Sequence, residues 1–289
     1  MYTLLFYYQK LIEEGEILVQ IGELAPDTHR QYVSKKNKIN AYLESVRQTD
    51  ITPDKITLFW VRDFELYLLG SLKRNSANKH LMHLGKALYL AVLNNDVSHN
   101  VMKDYKYKKA KPGAIKCLTL QEITLLEDAK LSGYLDKTRD LFLIQCYTGF
   151  SYSDLVQFEQ QYIITNKDGV FIEFNRKKTH IESVRPMNTK ILAILKKYNY
   201  RLPRYQIQNY NENIKVMLKK CGIAKELSSH AGRKTFAMIS HNEYNVPIST
   251  VSRMIGHSSI ATTQAYYVKP DYKKIAADMK QAGVLKKLE

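Results

Sequence analysis

Apolar residues recur at helical spacing through three successive blocks in the N-terminal third of the chain. The blocks cover residues 28–46, 57–69 and 76–93, and strict alternation of apolar and polar residues is rare within them. A stripe that repeats every three to four residues buries one face of a helix, whereas a half-buried strand needs a period of two. The pattern therefore predicts a small, all-helical domain, which we place at residues 27–103.

Local signals give the expected ends of these helices. Asp27 is a suitable N-cap for the first, Gly70-Ser71 follows the second, and Asn75 or Ser76 can cap the third. The preceding segment, 1–26, carries one lysine against four glutamates and has an amphipathic pattern. We predict a separate short helix there, with too little positive charge to follow a polyanion.

A lysine-rich segment at 104–116 contains Pro112-Gly113 and predicts an extended basic linker. Beyond it, Thr119 and Glu122 have the spacing of a capping box, so we expect a helix to begin immediately after Thr119. This helix would open a second domain.

The second domain, at 117–289, shows mainly helical spacing. Two of its segments, 169–175 and 181–187, are apolar or alternating and flank a polar turn, as in a β-hairpin. We therefore predict a mainly α protein, in which the second domain is mostly helical with a small antiparallel β-sheet.

The charge balance indicates a polyanionic partner. The chain has 44 basic and 28 acidic residues, a net charge of +16, which suits nucleic acid or an anionic membrane surface. No apolar stretch is long enough to span a bilayer and no secretory leader is evident, so we expect a cytoplasmic protein without membrane contact. The residues that we expect to bind the polyanion lie near the third helical block and in the linker. They are Lys73, Arg74, Lys79, Lys86, Lys106, Lys108, Lys109 and Lys111.

The three cysteines are far apart and form no CxxC or Cys/His cluster. We therefore expect no zinc site and no other cofactor. Chemistry on a polyanion would then depend on cationic side chains that stabilise negative charge and supply protons.

Two short motifs provide such side chains. His230 and Arg233 are three residues apart, which places both on one face of a helix. An arginine can bind two phosphate oxygens at once, and a neighbouring histidine can donate or accept a proton. His257 follows Gly256 in an expected turn, and Tyr266 comes nine residues later. A phenol with a pKa of about 10 needs nearby cations to attack at neutral pH.

The conjunction of these motifs is specific. His230, Arg233, Ile255-Gly256-His257 and Tyr266 resemble the ordered HxxR, LGH and tyrosine pattern of tyrosine recombinases of the phage integrase family. The resemblance extends from about Thr28 to Ala276. It implies a helical, SAM-like core-binding domain followed by a mostly helical catalytic domain.

The resemblance also implies an activity. Members of this family cleave and rejoin DNA through a 3′-phosphotyrosine intermediate, without metal or cofactor, and many integrate or excise mobile elements. In this chain Tyr266 would attack, Arg233 and His257 would stabilise the phosphate oxygens, and His230 would assist proton transfer. Lys178, in a segment resembling the family's RxKT, would protonate the 5′-oxygen. Tyr267 is the rival nucleophile, although the family's spacing selects Tyr266.

One position departs from the pattern. The family's first arginine normally follows Thr-Gly-Leu, but this chain has Ser151 there, after Thr148-Gly149-Phe150. Some mobile-element integrases of Bacteroides-type bacteria resemble it in lacking this arginine and recruit one from the hairpin. We therefore predict that Arg176, on the same strand face as Lys178, supplies the guanidinium, and that Asp154 holds the cations in place. Arg185 and Arg253 are less favoured substitutes.

The expected partners are duplex DNA carrying an attachment or recombination site and further copies of the chain, which form a tetramer on that DNA. The segment 1–26 would be the remnant of, or the link to, an arm-binding domain. The amphipathic tail at 272–288 could pack on its own domain or on a neighbouring subunit. A DNA-binding accessory protein without strand cleavage and a type IB topoisomerase are the alternative functions.

Overall fold

The computed structural model describes residues 1–110, 113–175, 181–267 and 272–283. Side chains at 175, 265–267, 272–273 and 281 are outside that description. The chain divides into two compact units, Met1–Pro112 and Gly113–Glu289. Each unit has its own hydrophobic core.

The described part of the first unit is helical, as the apolar spacing predicts. Its longer helices are α1 (Leu4–Gln20), α2 (Pro26–Ser45), α3 (Leu58–Leu69) and α4 (Arg74–Leu93). Two helix starts differ from the expected ones. Pro26 is the first residue of α2, with Ala25 as N-cap, because the fixed φ of proline suits the first helical position. Lys73, not Asn75 or Ser76, is the N-cap of α4.

Helix α1 is part of the core of this unit. Leu4, Tyr8 and Leu11 are buried among residues of α2, α3 and α4, and the Leu4 amide donates to the Ile51 carbonyl at 2.8 Å. The Tyr7 hydroxyl, also at this interface, donates to Asp96. The helix expected at 1–26 therefore packs against α2 and α4 and belongs to the core of this unit.

Polar contacts join α3 to α4, and α4 to the segment that follows it. Glu65 on α3 is 1% exposed and accepts hydrogen bonds from Arg74 and, at 3.3 Å, from Arg62. The Asn78 side chain donates to the Lys108 carbonyl at 2.9 Å. The described part of the basic segment, up to residue 110, has no helix or strand after Asp104.

The second unit is mostly helical around a small sheet, which confirms the predicted fold class. Its helices are α5 (Leu120–Asp128), α6 (Gly133–Thr148), α7 (Tyr152–Leu155), α8 (Thr189–Lys197), α9 (Ile207–Lys220), α10 (Ser229–Asn242), α11 (Ile248–Met254), α12 (Ile260–Tyr267) and α13 (Tyr272–Gln281). The strands are β1 (Ile163–Asn166), β2 (Gly169–Asn175) and β3 (Glu182–Pro186). They form an antiparallel sheet in the order β1-β2-β3.

The capping box at the start of α5 forms as predicted. The Glu122 amide donates to the Thr119 hydroxyl at 3.2 Å, and the Thr119 amide donates to the Glu122 carboxylate at 2.7 Å. These two bonds satisfy backbone donors that the first turn of a helix leaves unpaired.

Helix α6 lies at the centre of the second core and packs against α9 and α10. Gly232 allows α10 to approach it closely, because a Cβ at this position would lie 2.6 Å from the Gln145 Cβ. Gln145 is fixed in turn by the Tyr210 hydroxyl of α9, which donates to its side-chain oxygen at 2.9 Å. This close approach sets the position of Arg233, the next residue on α10.

We expect Gly232→Ala to lower the free energy of unfolding by about 1 to 3 kcal/mol, because the added methyl forces α10 away from α6. This range is the net change, after the gain of about 1 kcal/mol in helix propensity from glycine to alanine is included. Urea denaturation followed by circular dichroism measures the change. Gly113→Ala is the matched control, since a Cβ there meets nothing within 4 Å. A Gly232→Ala protein as stable as the parent would contradict the close packing.

Candidate active site

A tight turn after α6 organises the described part of the site. Gly149 ends this helix in the left-handed conformation, with φ 69° and ψ 16°. A Cβ there would lie 2.6 Å from Cδ1 of Phe236 and 2.9 Å from Cγ2 of Ile255. Both the dihedral angle and the lack of space require glycine. The chain thereby turns directly against α10 and the end of α11.

Arg233 joins this turn to the segment that follows α11. The arginine is 1% exposed, and its Nη1 donates to the Gly149 carbonyl at 2.7 Å. Its Nη2 donates to the Ile255 carbonyl. The structure thus brings together three predicted features that are far apart in sequence: the Thr-Gly turn, the HxxR arginine and the LGH-like segment.

His257 connects this segment to α12. Gly256 has a φ of 61°, and the His257 amide donates to the Ser252 carbonyl at 3.0 Å. The His257 Nδ1 lies 2.9 Å from the Thr263 hydroxyl, which is fully buried on α12. Since α12 also carries Tyr266, His257 helps to fix the helix of the predicted nucleophile. The side chains of Tyr266 and Tyr267 are outside the described residues.

His230 is exposed at the start of α10 and lines a shallow cavity of about 240 Å³. Three lysines that the sequence analysis does not single out line the same cavity: Lys116, Lys215 and Lys234. Lys234 could have been found, because it lies four residues after His230 on the same helix and therefore on the same face. Lys116 and Lys215 reach the cavity only through the tertiary fold.

Ser151 acts as a helix cap. Its hydroxyl donates to the Asp154 carboxylate at 2.7 Å, and the Asp154 amide donates back to the hydroxyl at 3.3 Å. Asp154 is fully buried, and its carboxylate also accepts from the Ser151 amide at 3.1 Å. Both residues therefore form the capping box of α7, and neither brings a cation to the site.

The hairpin that follows is confirmed by the structure. Strand β2 ends at Asn175 and β3 begins at Glu182, close to the expected segments. Arg176 and Lys178, the predicted hairpin cations, lie outside the described residues. Of the two less favoured arginines, Arg253 is exposed on α11, whereas Arg185 is fully buried on β3.

In the first unit, α2 and α4 form a basic face around Tyr32. Lys86 on α4 and Lys35 on α2 lie 5.5 and 5.7 Å from the Tyr32 ring centroid. Burial lowers the pKa of Lys35, and the nearby charges of Lys86 and Lys79 lower it further. Crowded cations of this kind are stabilised by an anionic ligand. Lys79 and Lys86 of α4 are among the predicted DNA contacts, whereas Lys35, on α2, is not.

The other candidate DNA contacts are distributed differently. Lys73, Lys106, Lys108 and Lys109 are exposed, and Lys111 is outside the described residues. Arg74 is largely buried against Glu65, with 24% of its side chain exposed. The structure therefore places Arg74 in an ion pair within the unit and not on its basic face.

Within the described residues, no group of three or more His, Cys, Asp or Glu side chains is placed to hold a metal ion. No helix in the described ranges combines the length and apolar character needed to cross a membrane.

Comparison with known proteins matches both units. Residues 118–274 match the phage integrase family, and residues 3–109 match the phage integrase SAM-like domain. The second match begins within the first residues of the chain and so includes α1.

Two curated relatives are tyrosine recombinases. The chain is 30% identical to tyrosine recombinase XerD of Staphylococcus saprophyticus over 184 residues, which cover 56% of this chain and 59% of the relative. It is 29% identical to tyrosine recombinase XerC of Caldanaerobacter subterraneus over 165 residues, which cover 50% and 46%. The alignments thus span about half of each relative's length.

A solved structure of the Tn1549 transposon integrase in complex with a circular intermediate DNA has the same fold. The superposition covers 97% of this chain and 100% of the integrase chain, with a TM-score of 0.74 and 18% sequence identity. The family models match both units, and the candidate site residues occur in the family's order. The chain therefore belongs to the phage integrase family.

Proposed function

We propose that the chain is a site-specific tyrosine recombinase that cleaves and rejoins duplex DNA to integrate or excise a mobile element. The observation that carries this proposal is the pair of hydrogen bonds from Arg233 to Gly149 and Ile255. These bonds gather the Thr-Gly turn, the HxxR helix and the His257 segment, and His257 continues the connection to the helix of Tyr266.

The reaction would proceed by in-line displacement at phosphorus. The Tyr266 hydroxyl passes its proton to His230, and its oxygen bonds to the scissile phosphate while the bond to the 5′-oxygen breaks. Lys178 gives the leaving 5′-oxygen a proton. Arg233, His257 and the hairpin residue Arg176 stabilise the negative charge on the nonbridging oxygens, and His230 assists proton transfer. The 3′-phosphotyrosine conserves the phosphodiester bond energy. The 5′-hydroxyl of a partner strand can therefore reverse the step without ATP.

DNA would be held by both units. The basic face of Lys35, Lys79 and Lys86 suits the backbone of a duplex, and the lysine-lined cavity at His230 offers further cations. Lys73, Lys106, Lys108, Lys109 and Lys111 would add backbone contacts along the helical unit and the segment after it. Strand exchange would take place in a tetramer on the recombination site, in the cytoplasm where the DNA lies.

A DNA-binding accessory protein is the second candidate, and the capping role of Ser151 favours it. Removing one charge-assisted hydrogen bond to a phosphoryl transition state costs about a hundredfold or more in rate. A chain that had not replaced this charge would bind DNA without cleaving it.

We expect Tyr266→Phe to abolish a denaturant-resistant protein–DNA adduct, because only the phenol oxygen can form the phosphotyrosine bond. The substrates are nicked suicide duplexes tiled across the DNA that flanks the gene. Adducts are separated on a denaturing gel. Tyr267→Phe is the matched control and should retain the adduct.

An adduct in the Tyr266→Phe lane would show that Tyr266 is not the nucleophile. DNA binding without an adduct in any lane would favour the accessory protein. Relaxation of plasmids without a defined site would favour a topoisomerase.

Replacement of Lys35, Lys79 and Lys86 by glutamine, singly, should weaken binding to any duplex. Each variant should also reduce the slope of log K against log salt by about 1 for each phosphate that it no longer neutralises. Fluorescence anisotropy between 50 and 200 mM salt, the range over which about 10³–10⁵ in affinity is typically lost, measures both quantities. Lys10→Gln is the control, since Lys10 pairs with Glu13 on α1. Slopes equal to that of the parent would exclude this face from the interface.

A further inference from the structure

A second buried guanidinium lies beside the Gly149 turn, and no step of the proposed reaction uses it. Among the described residues, Arg185 and Arg233 are the largest side chains that are fully buried. A buried charge costs several kcal/mol of desolvation that a hydrophobic side chain would avoid. A buried cation next to a candidate active site is therefore a candidate for a functional role.

The strand register turns Arg185 inward. Val184 and Pro186 are exposed on either side of it, while Ser183 and Arg185 are buried. Arg185 is paired with Ile172 of β2, and strand β3 also contacts α11. Side chains alternate along a strand, so the inward position follows from the pairing of β3 with β2.

Arg185 is stacked on the residue that precedes Ser151. Its guanidinium carbon lies 4.6 Å from the centroid of the Phe150 ring. Phe150 is itself fully buried and is held edge-on against Phe174 of β2, with ring centroids 5.5 Å apart. A planar guanidinium over an aromatic face is a favourable arrangement, and lysine would not reproduce it.

Three consecutive residues of the turn thus have charged neighbours. Arg233 donates to the Gly149 carbonyl, Arg185 covers the Phe150 ring, and the Asp154 carboxylate accepts from Ser151. The two arginines approach the same turn from different elements, α10 and β3. Ser151 itself caps α7 and carries no charge.

We propose that Arg185 supplies, from β3, the positive charge that position 151 lacks. It acts as a positioning residue that holds Phe150 and adds its charge to that of Arg233 at the turn. In a site from which water is excluded, a fixed cation acts over several ångströms more strongly than in water. This inference rests on the proposed recombinase function and assigns Arg185 a role that the hairpin residue Arg176 alone would otherwise fill.

The test compares cleavage rate with DNA affinity in Arg185→Met, which replaces the aliphatic part of the side chain and removes the guanidinium and its charge. Single-turnover cleavage of the suicide duplex should fall about a hundredfold, while the Kd from anisotropy changes by less than about threefold because Arg185 is buried. Arg201→Met, at an exposed arginine of the same unit that has no assigned role in the reaction, is the control. Parent-like cleavage by Arg185→Met would overturn the proposal.

A neutral substrate separates charge from structure. A methylphosphonate at the scissile position lacks the nonbridging charge that the arginine stabilises. Arg185→Met should therefore cleave it within a few-fold of the parent protein's rate on the same substrate. An equal loss on phosphate and methylphosphonate would show a merely structural role and overturn the proposal. Arg185→Gln, which keeps a planar polar end group, replaces Arg185→Met if circular dichroism shows that the latter is unfolded.

Two further variants complete the assignment. Ser151→Arg combined with Arg185→Met returns the charge to the family's usual position. The double variant should cleave at least tenfold faster than Arg185→Met alone. Failure to recover in a folded double variant would count against the proposal. If Arg176→Ala cleaves the methylphosphonate substrate at the parent rate and Arg185→Met does not, Arg176 supplies the missing charge and the proposal is overturned. Absence of an adduct with the parent protein would instead overturn the proposed function itself.

Discussion

The hydrogen bonds of Arg233 hold the described part of the site together. One guanidinium binds the carbonyl of Gly149 and the carbonyl of Ile255, and so joins the end of α6 to the segment that carries His257. Carbonyl groups at the ends of helices lack partners within the helix, and a cation is a suitable donor for them. The same side chain therefore satisfies two backbone carbonyls and places a buried positive charge between the two segments.

This arrangement requires close packing behind it. Gly232 lets α10 approach α6, and Gly149 leaves room for Phe236 and Ile255. At both positions a methyl group would enter space already occupied by other atoms. The two glycines thus have a steric reason to be glycine, and each is adjacent to, or in contact with, Arg233. Charge placement and core packing are coupled in this unit, so changes in the core are also changes in the site.

Sequence patterns predict local structure well here and long-range structure poorly. The capping box of Thr119 and Glu122 forms as expected because both partners lie within one helical turn. The role of Arg74 is not visible in the sequence, because it depends on Glu65 of another helix. Lys35 is missed for the same reason: its crowding with Lys79 and Lys86 arises only when α2 packs against α4.

The order of residues along the chain is enough to establish the helical character of both units, the hairpin, the family and the succession of His230, Arg233, His257 and Tyr266. The helices and the hairpin follow from periodicity and capping, which depend on residues near one another in the chain. The family follows from the resemblance of the ordered motifs to its pattern. The folded arrangement was needed to show that Ser151 is a helix cap and that Arg185 is buried against Phe150. Strand alternation alone cannot say which face of β3 is inward, because that face is set by its pairing with β2 and by the core beneath it.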